Sequence, residues 1–153
     1  MNNKIIIPSI SNLYDFIGKE LGVSKWFHVT QKIIDSFALA TNDNQWIHID
    51  KKRAKKESPY GNTIAHGYYT LSLLPMFVSE VWKCNNISLV LNYGSDKVRF
   101  ISPVICDSKI RARIFLLSVE NYKKGVKIKS KIDIEIINSK KLAMSAETLA
   151  VLI

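Results

Sequence analysis

Residues 67–83 form the most apolar segment of the chain, with Tyr68, Tyr69, Leu71, Leu73, Leu74, Met76, Phe77, Val78, Val81 and Trp82 close together. Placed on a helix, these residues occupy nearly every face, so the segment predicts an enclosed rod rather than a surface helix. From Gly67 to Lys83 its length is roughly 25 Å at 1.5 Å per residue. Pro75 interrupts it and predicts a kink or a local adjustment. A helix apolar all round needs something to wrap it, and this requirement constrains the fold more than any other feature.

The wrapping material follows in sequence. Ile87–Tyr93, Lys97–Ile101, Lys109–Glu120, Val126–Ile137 and Leu142–Leu152 alternate or run apolar and β-branched, which predicts strands. Turns are expected at Gly94-Ser95, Ser102-Pro103, Lys123-Lys124-Gly125 and Asn138-Ser139-Lys140. Strands in succession after a helix fit an antiparallel sheet in an α+β domain. Upstream, Ser9 or Ser11 is positioned to cap a short helix through Leu13, Phe16, Ile17 and Leu21, ended by Gly22. Trp26–Val29 reads as a short strand, and Thr30 as the N-cap of a helix presenting Ile33, Ile34, Phe37 and Ala38 on one face before it stops near Thr41-Asn42. Residues 42–65 are polar, turn-rich and irregular, and ordered connections of this length are often functional.

A chain of 153 residues with 47% hydrophobic and 23% charged residues is globular in composition, and one domain spanning residues 1–153 is expected. The Ile5-Ile6-Ile7 run, ended by Pro8, is too short for a signal-peptide core or a membrane span. Cys84 and Cys106 lack the spacing of a zinc site or a disulfide framework, so a reducing cytoplasm is the expected location, although spacing leaves a single bridge open. The net charge of +9 is compatible with nucleic acid, an acidic membrane or a phosphorylated ligand. No nucleic-acid-binding motif accompanies the lysines, whose densest run is Lys51, Lys52, Arg53, Lys55 and Lys56.

Chemistry concentrates in the polar connection. Asp43 and His48 are a carboxylate and an imidazole five residues apart, and on a non-helical loop they can converge on one water molecule. Hydration needs such a pair, since one proton leaves water as oxygen attacks and a proton must reach the neighbouring carbon. Spacing alone favours the plainer alternative of a turn-capping Asp and an ordinary loop His. Further on, Ala65-His66-Gly67 opens the apolar rod, and a helix N-terminus offers unpaired N–H groups and partial positive charge. Gly67 either lets an acyl oxygen approach its N–H, as in an oxyanion site, or permits tight packing.

Together the residues resemble a family. Phe37-Ala38, Ala40-Thr41, Asp43, Gln45-Trp46-Ile47-His48 and Asp50, followed by Tyr60-Gly61, Thr63-Ile64-Ala65-His66-Gly67-Tyr68 and Thr70-Leu71-Ser72-Leu73-Leu74-Pro75, resemble the MaoC-like dehydratases. The nearest branch is that of nodulation protein N and the (R)-specific enoyl-CoA hydratases. Asn92-Tyr93-Gly94, Asp96-Lys97-Val98-Arg99-Phe100 and Ser102-Pro103-Val104 extend the match, which covers most of residues 30–150. The resemblance implies a hot-dog fold, a long central helix wrapped by an antiparallel sheet, in a homodimer. It implies that Asp43 and His48 hold the attacking water, that the Gly67 N–H binds the thioester oxygen, and that the product is an (R)-3-hydroxyacyl-CoA. It further implies substrate contacts from Gln45, Ile64, Ala65, His66, Asn92, Tyr93 and Gly94, and no metal or redox cofactor, since CoA enters with the substrate. Two departures stand out: the commoner family form has Gly at position 42 and Asn-Pro at positions 45–46, where this chain has Asn42 and Gln45-Trp46. Asn tolerates left-handed backbone, so the loop shape is expected to survive.

Other residues suggest other roles. Lys97 and Arg99 alternate on an expected strand and could receive CoA phosphates along with the 51–56 run, which otherwise reads as a solvated basic face. Glu80, on the rod, is the base that a thioesterase on the same fold would need. The third reading is a non-enzymatic acyl-carrier or nucleic-acid binding module, motivated by the +9 charge, although no stacking aromatics are interleaved with the basic run.

Overall fold

The computed structural model describes residues 4–153. Strand β1, Ile5–Ile7, pairs in parallel with β4, Trp82–Cys84, which leaves the far end of the rod. The chain then makes a 3-10 helix over Ile10–Phe16, with Ser9 at its N-cap. Leu21 and Gly22, expected at the end of that helix, instead lie in strand β2, Glu20–Val23. Gly18, at φ 77°, turns the chain early, and its N–H donates to the Leu116 carbonyl at 2.7 Å. A sheet edge was there to be joined, and tertiary pairing outweighed the local helical period.

Strand β3, Phe27–His28, leads to helix α1, Gln31–Thr41, with Thr30 at the N-cap as expected. The helix stops on Asn42, whose φ of 58° and ψ of 23° are left-handed. The residue that replaces the family's glycine therefore adopts the conformation glycine would supply. The connection beyond it is less irregular than its composition suggests. It holds a single-turn helix α2, Trp46–Ile49, and α3, Lys51–Glu57, which starts when the Asp50 carboxylate caps the Arg53 N–H at 2.9 Å.

The rod is two helices, α4 (Gly67–Ser72) and α5 (Leu74–Val81). Pro75 has no N–H to give the Leu71 carbonyl, so the hydrogen-bond ladder restarts with proline in the first turn of α5, where its missing donor costs nothing. Leu73 between them keeps right-handed angles, φ −77° and ψ −12°, so the axis continues. Trp82, at φ −148°, ends the helix short of Lys83.

The sheet contains β5 (Val90–Phe100), β6 (Lys109–Tyr122), β7 (Gly125–Ile136) and β8 (Leu142–Leu152), in the order β2-β6-β7-β8-β5 with β3 also on β6, all antiparallel. The turn expected at Gly94-Ser95 is absent. One strand runs through it, with register shifts between Asn92 and Gly94 and between Ser95 and Lys97. A bulge absorbs the poor strand formers without ending the strand.

Phe77 of α5 is fully buried against an inner sheet face that includes Ile110, Ile114, Leu116, Ile132, Ile134 and Met144. This is the expected α+β hot-dog arrangement, with one correction. The rod is not enclosed on every side, because Tyr68, Ser72, Pro75 and Ser79, at steps of three and four residues, lie exposed along one stripe. The rod packs against β2 and β6, and a cavity lies between it and β5. Cys84 and Cys106 are buried free thiols. Among the described residues, no helix is long and apolar enough to cross a membrane.

Candidate active site

Three side chains converge where the connection meets the rod. Ligand-capable atoms of Asp43, His48 and His66 all lie within 4.8 Å of one another. His48 sits on α2 rather than on the irregular loop expected for it, and Asp43 precedes that helix, so one turn of helix and the bend before it bring the two together. His66 is the residue just before α4. The rings of His48 and His66 stack, centroids 3.8 Å apart and planes 27° apart.

Backbone carbonyls fix both rings. His48 Nδ1 donates to the Ile64 carbonyl at 2.8 Å, and His66 Nε2 donates to the Asp43 carbonyl at 3.0 Å. A carbonyl can only accept, so each of those nitrogens carries a hydrogen, which leaves Nε2 as the acceptor of a neutral His48 ring. His66 Nδ1 is buried and has no hydrogen-bond partner among the described residues. The Asp43 side chain is 55% exposed, and its Oδ2 lies 3.9 Å from His66 Nε2. Burial holds the His48 pKa below its usual 6.5; the Ile64 hydrogen bond pulls it up, His66 pushes it down and Asp43 pulls it up. At neutral pH His48 is therefore an uncharged acceptor.

Further residues brace this cluster. Gln31, buried at the start of α1, donates through Nε2 to the His48 carbonyl and to Asp35 Oδ1, both at 2.7 Å. The fully buried Thr63 hydroxyl donates to Gln31 Oε1. Phe37 packs on His66 with ring centroids 5.1 Å apart. Sequence reasoning passed over Gln31 and Thr63 and set His66 among the substrate contacts, apart from the acid/base pair. A polar Gln beside the apolar stripe of α1 was the available signal.

The remaining candidates divide. The Gln45 carbonyl accepts the His48 N–H at 2.9 Å, and the Ile64 N–H donates to the Ile47 carbonyl at 3.1 Å. The Ala65 N–H is engaged by the Val104 carbonyl at 2.8 Å, which leaves Gly67, first in α4 and lacking an intrahelical acceptor, as the amide at the rod's start. A Cβ at Gly67 would lie 3.0–3.1 Å from the Phe100 ring, so the glycine also serves packing. Asn92, Tyr93 and Gly94 lie on β5 and line a separate cavity beside the rod. The Lys97 ammonium is paired with Glu147 at 2.9 Å, and an Arg99 NH group donates to the Val98 carbonyl at 3.0 Å. On α3, Arg53 is paired with Glu57 at 2.7 Å, and the lysines there are exposed. Glu80 lies on α5 and accepts the Lys25 N–H at 3.1 Å, at the opposite end of the rod from Gly67.

Two imidazoles and a carboxylate are a donor set that can hold zinc or iron. An ion about 2 Å from both nitrogens must lie near both ring planes. Stacked rings 3.8 Å apart do not share such a point, and the lone pairs suit a small hydrogen-bonding molecule better.

A family model described as a MaoC like domain matches residues 13–136. The chain belongs to the MaoC-like dehydratase family. It is 40% identical to nodulation protein N of Rhizobium meliloti (strain 1021) over 94% of this chain and 90% of that one. It is 39% identical to 3-hydroxyacyl-thioester dehydratase Z of Mycobacterium tuberculosis (strain ATCC 25618 / H37Rv) over 92% and 93% of the two chains. Among solved structures, a protein described as the monoamine oxidase regulatory protein of Archaeoglobus fulgius superposes with a TM-score of 0.77 at 21% identity, covering 99% of this chain and 97% of the other. The (R)-hydratase PhaJ1 of Pseudomonas aeruginosa gives 0.69 at 17% identity, covering 89% and 81%. At those identities the superpositions speak for the fold. Family and relatives together indicate an activity of the dehydratase or hydratase kind. In this MaoC-like chain the matched region includes both Asp43 and His48 and the whole rod.

Proposed function

We propose that the chain catalyses reversible hydration of 2-enoyl-CoA thioesters to (R)-3-hydroxyacyl-CoA, with Asp43 and His48 holding the water. The observation that carries this reading is the convergence of a carboxylate and a neutral imidazole within 4.8 Å, beside the free amide that opens a buried rod. His48 Nε2 accepts a proton from water as its oxygen bonds to C3, and Asp43 holds the second hydrogen and fixes the direction of attack. The electrons of the double bond move towards the thioester carbonyl, whose developing charge the Gly67 N–H receives. Return of the proton to C2 completes the addition of one water, and dehydration is the same path reversed. The scheme uses no metal or redox group; CoA arrives with the substrate.

The working unit we propose is a homodimer. Among the described residues, strand β5 lies at the sheet edge and pairs with β8 alone, and its neighbourhood exposes Leu89, Val90, Leu91, Tyr93, Phe100 and Ile101, each 46–59% accessible. A long apolar edge strand invites pairing with a second chain. The relative named a dehydratase acts, by its name, on 3-hydroxyacyl thioesters, which supports the same substrate class here.

The test is hydration of purified 2-enoyl-CoA substrates, followed by loss of conjugated absorbance, with chiral analysis of the product. Water addition without thiol release is expected, and it should depend on both Asp43 and His48. Release of free CoA, or full activity in His48→Ala, refutes the reading. Light scattering should give twice the chain mass, and Leu91→Lys should shift it towards the monomer.

A further inference from the structure

His66 is the one member of the converging trio without a part in the hydration chemistry. It stands at the N-cap of α4 with extended angles, φ −60° and ψ 140°, and its side chain makes no hydrogen bond to the helix it precedes. Its own carbonyl accepts the Thr70 N–H at 3.2 Å, so its backbone is fixed to the rod while its ring is left to point elsewhere. The ring reaches back to the connection. Nε2 donates to the Asp43 carbonyl at 3.0 Å, and the ring stacks on His48 with centroids 3.8 Å apart. One side chain therefore touches both members of the acid/base pair. Residues 43–45 belong to no helix or strand, and the bond from His66 ties the Asp43 backbone to the start of the rod. The Asp43 side chain itself is 55% exposed, so packing does little to hold its carboxylate.

We infer that His66 is a positioning residue, which anchors the Asp43 backbone and the face of the His48 ring to the start of the rod and so keeps carboxylate and imidazole aimed at one water molecule. The inference rests on the hydratase reading and adds a residue to its machinery. Burial leaves His66 no direct part in proton transfer. Its side chain is 3% exposed, Nε2 is committed to a carbonyl, and Nδ1 is buried without a hydrogen-bond partner among the described residues. The substrate contact that the sequence suggests for His66 fails on the same ground. Packing alone does not account for the residue either. Phe37 lies against the ring at 5.1 Å, and a phenyl group would fill that apolar contact without stranding a buried nitrogen. What the imidazole adds is the donor to Asp43. Misplacing a reacting group by about 1 Å can cost about a hundredfold in rate, because attack needs both groups aligned on the water.

Two variants separate the donor from the ring. His66→Phe keeps a ring against His48 and removes the donor, whereas His66→Gln removes the ring and carries an amide N–H about as far from the backbone as Nε2. With a 2-enoyl-CoA, His66→Phe should lose about a hundredfold in kcat while KM stays within about threefold, and His66→Gln should recover at least about tenfold of that loss. A kcat for His66→Phe within about threefold of native, or no recovery in His66→Gln, overturns the inference. If His66→Phe does not fold, His66→Gln decides alone: kcat within about tenfold of native sustains the tie, and a larger loss overturns it. Failure of both to fold would make the residue structural and overturn it too. The titration of His48, followed by NMR, gives a readout independent of turnover. Besides burial and the Ile64 hydrogen bond, the groups that act on its pKa are His66, which pushes it down, and Asp43, which pulls it up. Asp43→Asn should therefore lower the His48 midpoint in the native background, and by less than half as much beside His66→Phe, where the carboxylate is no longer held. No effect in the native background, or more than half of it remaining without His66, overturns the inference. If the native protein hydrates no enoyl thioester, the hydratase reading fails instead, and this comparison still decides whether His66 aligns the pair.

Discussion

Replacing Asp43 by Asn separates what the side chain does from what the backbone does at one position. The substitution preserves shape and removes charge. The Asp43 carbonyl, which holds His66 Nε2 at 3.0 Å, is untouched by it, so the stacked pair should stay in place. The side-chain contact with His66 Nε2 is weakened, but at 3.9 Å and with the carboxylate 55% exposed it is worth at most about 1 kcal/mol. Stability should therefore fall by less than about 1 kcal/mol, or roughly 2–4 °C in Tm for a chain of this size. Catalysis should suffer far more. A positioned acid or base contributes about 10²–10⁴-fold, which corresponds to roughly 3–5 kcal/mol of barrier. Steady-state hydration of a 2-enoyl-CoA, read by absorbance beside a thermal melt of the same sample, separates the two quantities. Activity within about threefold of the native protein would refute the role given to the carboxylate. A Tm loss of more than about 10 °C would instead show that the side chain holds the fold.

Other outcomes follow from the same geometry. Because burial lowers the His48 pKa, folded protein binds fewer protons there than unfolded protein; its contribution to stability is complete above pH 6.5 and is lost as pH falls through that value towards the folded one. Urea midpoints at descending pH should show this, and the acid limb of kcat/KM should lie below pH 6.5. Gln31→Leu strands the Thr63 hydroxyl and the His48 carbonyl, and should cost about 1–3 kcal/mol by chemical denaturation, with a fall in kcat exceeding any rise in KM. Phe77→Ala, at a fully buried side chain, should cost about 3–5 kcal/mol, measurable as a drop in denaturation midpoint.

The apolar rod and the β-branched strands after it were legible because hydrophobic periodicity is local information, and Leu142–Leu152 came out with its bounds as expected. Asn42 was legible for the same reason: a left-handed stop depends on one residue's own backbone preference. Where sequence reasoning failed, the competing partner was distant. Leu21 and Gly22 were drawn into β2 by β6, and Trp82 into β4 by the opening isoleucines. Gly94 and Ser95 stayed in β5 because β8 paired on both sides of the bulge.

The sequence by itself determined that a carboxylate and an imidazole sit on a polar connection before an apolar helix, since these are facts of residue type and order. Only the tertiary structure decided that His66 joins them, that Ile64 and Asp43 carbonyls choose the tautomers, and that Gln31 and Thr63 brace the turn. These contacts link α1, α2 and the start of the rod across 16 to 32 residues of chain. Hydrogen bonds at such separations are set by how the elements pack, which no local preference along the chain encodes.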